Sequence, residues 1–218
     1  MPRTTKAKSS KSARPAPITY GVHPGVAMVM KWVAELKEKT GRTLEEWCAL
    51  IQKEGPKEIA ARREWLKTKF KLGTNTVWWL AERADGQPTW DESPEAYLAI
   101  APTYVDEMFG GSKAALRPLG DALMLLGHEV AADIKFCPCK TIIPFYRDHV
   151  IAQINPATRT RIDFGFSLGL DVPFTARLKD TGGIKKKDRI THKVEITKME
   201  DIDKDVKKWL RAAYDRDA

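Results

Sequence analysis

The sequence predicts an α+β protein, with an N-terminal four-helix module followed by a helix–antiparallel sheet–helix module. Three observations carry that reading. Apolar residues recur with helical spacing as far as about residue 85. After about residue 130 the spacing changes to alternation, and a final helical stripe closes the chain. Asp85-Gly86-Gln87-Pro88 reads as a turn between the two parts. The resulting division is a basic arm over 1–24, a helical module over 25–85, a linker over 86–92 and an α+β module over 93–218.

The arm contains Pro15, Pro17 and Pro24 and little apolar surface to offset the entropy of ordering, so it reads as disordered and dispensable for folding. Helix one runs from about Gly25 to Thr40, with Val29, Trp32, Val33 and Leu36 on one face and Gly41 as its stop. Helix two starts at Thr43, with Glu46 completing a capping box, and Gly55 ends it. Its inward stripe is Leu44, Trp47, Cys48 and Ile51. Helix three runs from about Pro56 to Phe70 with Ile59, Leu66 and Phe70 inward. Helix four follows Leu72-Gly73 and turns Val77, Leu80, Ala81 and Ala84 to one side.

The second module opens on a helix at Ser93-Pro94-Glu95. Pro102 should break that helix, leaving a second piece up to Phe109. Ser112 opens the next helix, with Leu116, Leu119, Leu123 and Leu126 inside. Strands are expected over 130–136, 141–146, 149–154, 161–168 and 190–196. In the fourth, Ile162, Phe164, Phe166 and Leu168 alternate with Asp163, Gly165 and Ser167. Pro144 marks an edge or a bulge. Residues 169–188 read as a loop-rich connection, and the last helix buries Ile202, Val206, Trp209, Leu210 and Ala213.

Of the net charge of +8, the arm supplies +5 through Arg3, Lys6, Lys8, Lys11 and Arg14, so the folded part is nearly balanced. Three cysteines do not suggest a disulfide framework, and a reducing cytoplasm is the expected compartment. The longest apolar runs fall far short of the roughly 20 residues that span a bilayer, and the N-terminus lacks the apolar core of a signal peptide. No membrane association is expected, and no oligomeric state follows from the sequence.

Thr40-Gly41-Arg42-Thr43-Leu44-Glu45-Glu46-Trp47, Glu64-Trp65-Leu66 and Leu72-Gly73 resemble the short helical module of domain-of-unknown-function family 4287. Tyr104-Val105-Asp106, Leu116-Arg117-Pro118, Pro156-Ala157-Thr158, Arg161-Ile162-Asp163-Phe164-Gly165, Asp203 and Trp209-Leu210-Arg211-Ala212-Ala213-Tyr214 resemble its companion, domain-of-unknown-function family 5655. The second module is also distantly similar to bacterial frataxin-like iron chaperones. The resemblance implies an architecture and no activity. The frataxin likeness would put iron on an acidic run, and Glu200, Asp201, Asp203 and Asp205 form the nearest one. Their bland role is to favour the N-terminus of the last helix.

Gly165-Phe166-Ser167-Leu168-Gly169 matches a nucleophile elbow, with Asp171 and His192 downstream in the right order. Ser167 nevertheless continues an alternating strand and no helix starts after it, so it reads as a strand serine. Cys137 and Cys139 could serve a soft metal, but a tetrahedral site wants four ligands and the four histidines are scattered. No metal and no cofactor is expected.

Two binding surfaces remain. Lys67, Lys69 and Lys71 precede the Gly73 turn, and Asn75 lies in the first turn of a helix with helix-turn-helix spacing. Together with the arm they form the candidate nucleic-acid interface, for nucleic acid or an acidic partner. In the second module, Lys140, Tyr146, Arg147, Arg161, Asp163, His192, Arg211 and Tyr214 lie on or beside the strands and last helix, as a candidate small-ligand face. The expected function is therefore non-enzymatic binding, of weak and sequence-indifferent character if the partner is nucleic acid. The alternative is a small-ligand or metal-binding module on the sheet face. An unrecognised enzyme ranks third, because no nucleophile, base and oxyanion set converges.

Overall fold

The computed structural model describes residues 18–85 and 89–218, so Arg3, Lys6, Lys8, Lys11 and Arg14 of the expected arm lie outside the described residues, as do linker residues 86–88. The first helix, α1, spans Pro24–Thr40 and is capped by the His23 ring, whose Nδ1 accepts from Gly25 N at 3.0 Å. Gly41 ends it at φ 80°, a left-handed conformation that costs a side-chain-free residue little. Helix α2 spans Leu44–Glu54, and the expected capping box is formed: Glu46 N donates to Thr43 Oγ1 and Thr43 N to Glu46 Oε2.

Helix α3 spans Ile59–Phe70 and α4 spans Thr74–Arg83. Leu36, Trp47, Ile51, Leu66, Val77 and Leu80 pack into one core. Trp47 is fully buried, with its indole Nε1 donating to Thr40 Oγ1 at 2.8 Å. Ile59, expected inward, opens α3 and is exposed. Arg62 takes the buried place one turn later.

Helix α5 spans Pro94–Met108 without the expected break at Pro102. Pro102 and Leu98, whose carbonyl loses its hydrogen bond to the proline, are both exposed. Water can therefore satisfy that carbonyl, and the proline ring meets solvent instead of a packed neighbour. A 3₁₀ turn over Gly111–Leu116 leads into α6, Arg117–Val130. Strand β1 is confined to Lys135–Phe136, shorter than the expected 130–136. Val130 ends α6 instead, in helical phase with the buried Leu123 and Leu126.

Strands β2 (Ile143–Tyr146), β3 (Val150–Asn155) and β4 (Ile162–Phe166) follow. The stretch expected as loop also contains β5 (Lys179–Asp180) and a single-turn helix α7 (Gly183–Lys186). Strand β6 (His192–Ile196) and helix α8 (Lys204–Arg216) complete the chain. The six strands form one antiparallel sheet in the order β1-β2-β3-β4-β6-β5.

Register divides the sheet into two faces. Phe145, Ala152, Phe166 and His192 line up across it, two residues from Ile143, Ile154, Phe164 and Val194 on the same side. That side shares a core with Leu119 and Leu123 of α6 and Val206 and Leu210 of α8. Phe136, Phe145, Phe164 and Phe166 form a chain of ring contacts with centroids 4.6–5.5 Å apart. Each such pair adds about 0.5–1.5 kcal/mol to the area it buries. Gly127 lets α6 approach closely, since a Cβ there would lie 2.8 Å from Phe136 Cε1. The opposite face carries Gln153, Asn155, Asp163, Lys193 and Glu195.

Pro144 fits the expectation of an irregular strand. The β2–β3 register shifts between Phe145 and Tyr146, and Pro144 accepts from Cys137 N at 3.0 Å without an N–H to return. The Cys139 thiol reaches the Cys137 carbonyl instead, at 3.7 Å.

The expected arm is corrected at its C-terminal end. Tyr20 bridges Phe136 in parallel, and Gly21 N donates to Phe136 O at 2.9 Å. Tyr20, Val22 and Trp90 pack around Val26, Tyr97, Ala101 and Cys137. Residues 18–23 therefore cover the β1 edge, because an unpaired strand edge and a set of apolar side chains both gain a partner there. No described helix is long and apolar enough to cross a membrane.

Candidate functional site

The α3–α4 junction is built by backbone geometry. Lys71 ends α3 in the left-handed region at φ 53°, and Gly73 starts α4 with no side-chain cap. The first turn of α4 therefore presents amide N–H groups outward, beside the exposed Asn75. Lys67 and Lys71 are exposed and make no ion pair among the described residues. Lys69 differs: its Nζ lies 3.1 Å from Glu54 Oε2 and stacks over Trp65 at 5.1 Å.

The adjacent indoles Trp78 and Trp79 part company. Trp78 is 49% exposed, with the Arg63 guanidinium 3.6 Å from its ring centroid and Arg63 paired to Glu82. Trp79 turns toward α1 and meets Trp32 at 4.8 Å, while Trp32 Nε1 donates to Thr76 Oγ1 at 3.3 Å. Trp32 and Thr76 thus hold the first turn of α4 in place.

Behind this surface lie buried charges that sequence reasoning missed. Arg62 donates to the carbonyls of Pro56, Lys57 and Ala81 and pairs with Asp85, joining the start of α3 to the end of α4. Arg83 and Asp91 form a buried ion pair across the linker. Helical phase offered one signal, since Arg62 precedes the buried Leu66 by four residues. The carbonyls that satisfy the arginines left none.

The eight candidate ligand residues of the second module do not converge. Arg161 and Asp163 stand on the open sheet face in a closed charge network. Arg161 Nε lies 2.9 Å from Asp163 Oδ1, without the alignment of a hydrogen bond, and Arg161 also reaches Glu195 at 3.2 Å. Lys193 donates to Asp163 at 2.6 Å, and Lys179 pairs with Glu195 at 2.9 Å. The Lys179 hydrogen bond, with help from Arg161, holds the Glu195 carboxyl below its usual range. A shallow hollow of about 230 Å³ adjoins these residues, bounded by Gln153, Asn155 and Asp180.

His192 lies on the opposite, helix-covered face and is fully buried. Its Nε2 is 3.0 Å from Val172 O, its Nδ1 is 2.8 Å from Thr191 Oγ1, and Phe174 stacks on the ring at 4.4 Å. Burial lowers its pKa, against the opposing Val172 contact. Ser167 follows Phe166, the strand partner of His192, so the serine and histidine point to opposite faces and no nucleophile–base pair forms. Asp171 is paired to Arg216 instead.

Arg147 and Arg211 flank the Tyr214 ring at 4.4 and 5.3 Å, and the Tyr214 hydroxyl donates to Asp133. Tyr146 sits beneath the N-terminal segment, with its hydroxyl 3.4 Å from His23 Nε2. The acidic run before α8 is used in capping: Asp203 accepts from Asp205 N and Val206 N and pairs with Arg177, while Asp201 accepts from Thr197 and Lys198. Among the described residues, no three His, Cys, Asp or Glu side chains gather as a metal site. Burial, then the neighbouring Cys139, pushes the Cys137 thiol up to about 12, so it stays protonated.

Lys140 borders a different feature. A cavity of about 350 Å³ lies between α5 and the turn after β1, lined by Trp90, Tyr97, Tyr104, Pro138 and Lys140. It adjoins a more polar cavity of about 600 Å³ that includes Lys113, Ser112 and Asn155, with Lys140 and Thr141 common to both. Sequence reading placed Lys140 with the sheet and gave Trp90, Tyr97 and Tyr104 no binding role; helical spacing put Tyr97 and Tyr104 seven residues apart on one face of α5.

Comparison with known families divides the chain in the same two parts. A family model described as "Domain of unknown function (DUF4287)" matches residues 30–75, and one described as "Domain of unknown function (DUF5655)" matches residues 105–217, just over half of the chain. No curated protein and no solved structure matches.

Proposed function

The chain belongs to the DUF5655 family, a domain of unknown function, and with no activity to inherit from it we propose that the protein is a non-enzymatic binder of nucleic acid. The helical module and the basic arm form the interface. The observation that carries this reading is the uncapped first turn of α4, with Lys67 and Lys71 exposed and unpaired beside it among the described residues. Outward N–H groups and two lysines suit a phosphate backbone, and Arg63-stacked Trp78 adds a flat surface on the same helix. Phosphate contacts of this kind carry no base information, so the binding is weak and sequence-indifferent. A reducing compartment such as the cytoplasm fits three free thiols, two of them in the second module.

Fluorescence anisotropy with labelled single- and double-stranded DNA and RNA tests this. Affinity should fall steeply with salt as counterions are released. Replacing Lys67 and Lys71 by alanine should flatten the logarithmic salt slope by about one per lysine, and removal of the arm should flatten it further. Lys69→Ala should matter less, because Glu54 already neutralises it. No binding to any nucleic acid at low salt, with the arm intact, would end this reading. It would favour the second one, a small ligand in the sheet-face hollow lined by Asp163 and Lys193, with Arg161 reaching Asp163 from outside it.

A further inference from the structure

The two neighbouring cavities that share Lys140 differ in chemistry in a way that matches one class of ligand. The inner one is walled by Trp90 with Tyr97 and Tyr104 behind it, and the outer one by Lys113, Ser112 and Asn155. We propose that they bind one nucleotide, with its base against Trp90 and Tyr104 and its phosphate between Lys140 and Lys113. The nucleotide is either free or the terminal residue of a strand. This site lies in the second module and does not rest on the α3–α4 interface.

Four observations support the proposal. At about 350 and 600 Å³ the cavities fall in the range of small-molecule sites, about 300–1,000 Å³. Tyr104 is only 5% exposed and lines the inner cavity, yet its hydroxyl makes no hydrogen bond among the described residues. The oxygen itself stays open to the cavity, where the edge of a base supplies a partner. The Tyr97 hydroxyl, by contrast, donates to Pro138 O at 2.8 Å and ties the Cys137–Lys140 turn to α5, so the aromatic wall exists before the ligand arrives. On the polar side, Lys140 has no ion pair among the described residues. Lys113 gives only one of its three N–H groups, to Pro156 O at 2.6 Å.

The charge balance narrows the class. Two lysines face one carboxylate, Glu107, so the outer cavity is near +1. That suits a phosphate monoester, at about −1.5 to −2, and disfavours a triphosphate. A quaternary ammonium ion would also find aromatic walls attractive, but it would have to approach both lysines.

Isothermal titration calorimetry on the full chain decides the matter, using AMP, GMP, CMP and UMP, with adenosine, ATP, inorganic phosphate and choline as comparisons. A monophosphate should bind with a Kd below about 1 mM, and adenosine and phosphate alone each about tenfold or more weakly. Lys140→Glu, at an exposed position, should weaken AMP binding about tenfold or more, and Trp90→Ala should do the same. Lys67→Ala with Lys71→Ala should leave AMP binding unchanged, which separates this site from the nucleic-acid interface. A 5′-phosphorylated dinucleotide that binds as well as AMP assigns the site to strand ends, and one that fails to bind assigns it to free nucleotides. Absence of monophosphate binding, a preference for choline, or AMP binding indifferent to both Lys140→Glu and Trp90→Ala would overturn the proposal.

Discussion

His23 shows how much one side chain can connect. Its Nδ1 caps α1 by accepting from Gly25 N, so the ring proton lies on Nε2, facing the Tyr146 hydroxyl at 3.4 Å. Trp90 and Tyr97 close around the same ring. Burial holds its pKa below the ordinary 6.5, because a charged imidazole would lose water and the cap together. The sign follows directly. Above pH 6.5 the ring is neutral folded or unfolded, and its stabilisation is fully present. As pH falls, the unfolded chain takes up the proton first, and the stabilisation is lost down through the folded pKa. His192 is shifted in the same direction and adds to the loss. The melting temperature should therefore drop between about pH 7 and pH 5, above the range where carboxylates titrate. His23→Asn keeps a capping oxygen without the titration, so its melting curve should shift less over that interval. An unchanged pH profile in that variant would remove His23 from the account. His192 was also the residue whose placement the sequence could have settled. It stands in phase with the buried Val194 and Ile196, two and four positions on, so period two already assigned it to the covered face.

Elements with a strong period were legible, and those without one were not. The capping box of α2, the glycine stop of α1 and the alternation of β4 all follow from local chemistry. Two-residue β5 and single-turn α7 are too short to display a period, and only pairing with β6 creates the former. Pro102 misled for a related reason: its cost depends on whether Leu98 O faces solvent, which is a property of the packed helix and not of the residue. A proline in a helix interior costs about 3 kcal/mol through its clash and lost bond, offset by about 0.4–1 kcal/mol of unfolded-chain entropy. Solvent relieves part of that cost here. Pro102→Ala should accordingly stabilise the protein by about 1–2 kcal/mol, read from the urea midpoint at unchanged slope. A lower midpoint would mean that the proline sets a bend on which the core around Val105 and Met108 depends.

On the scale of the whole molecule, α1 belongs to both modules. Val26 at its start packs with Tyr97 and Cys137, while Leu36 near its end packs with Trp47 and Leu66. The Arg83–Asp91 pair makes a second tie, and removing one partner of a buried pair commonly costs about 3–5 kcal/mol. The order of a helical module followed by a sheet-containing one was readable from periodicity. The return of residues 18–23 to β1 was not, because a short apolar segment announces no partner. Two truncations distinguish the segments. Loss of 1–17 should leave the denaturant midpoint unchanged, since that stretch has little apolar surface. Loss of 1–23 should cost about 2–4 kcal/mol, as Tyr20, Val22 and the His23 cap go with it. Equal midpoints for both truncations would show that the β1 edge needs no cover. The same seam bears on how the chain is made. Val22 O meets the Cys137 thiol across 115 positions of sequence. On the ribosome, the residues that anchor α1 emerge well before the strand they will cover. The helical module can gather its own core early, but the start of α1 waits until more than a hundred further residues have been added. That seam therefore closes only once β1 has been made, well after the helical module has left the ribosome.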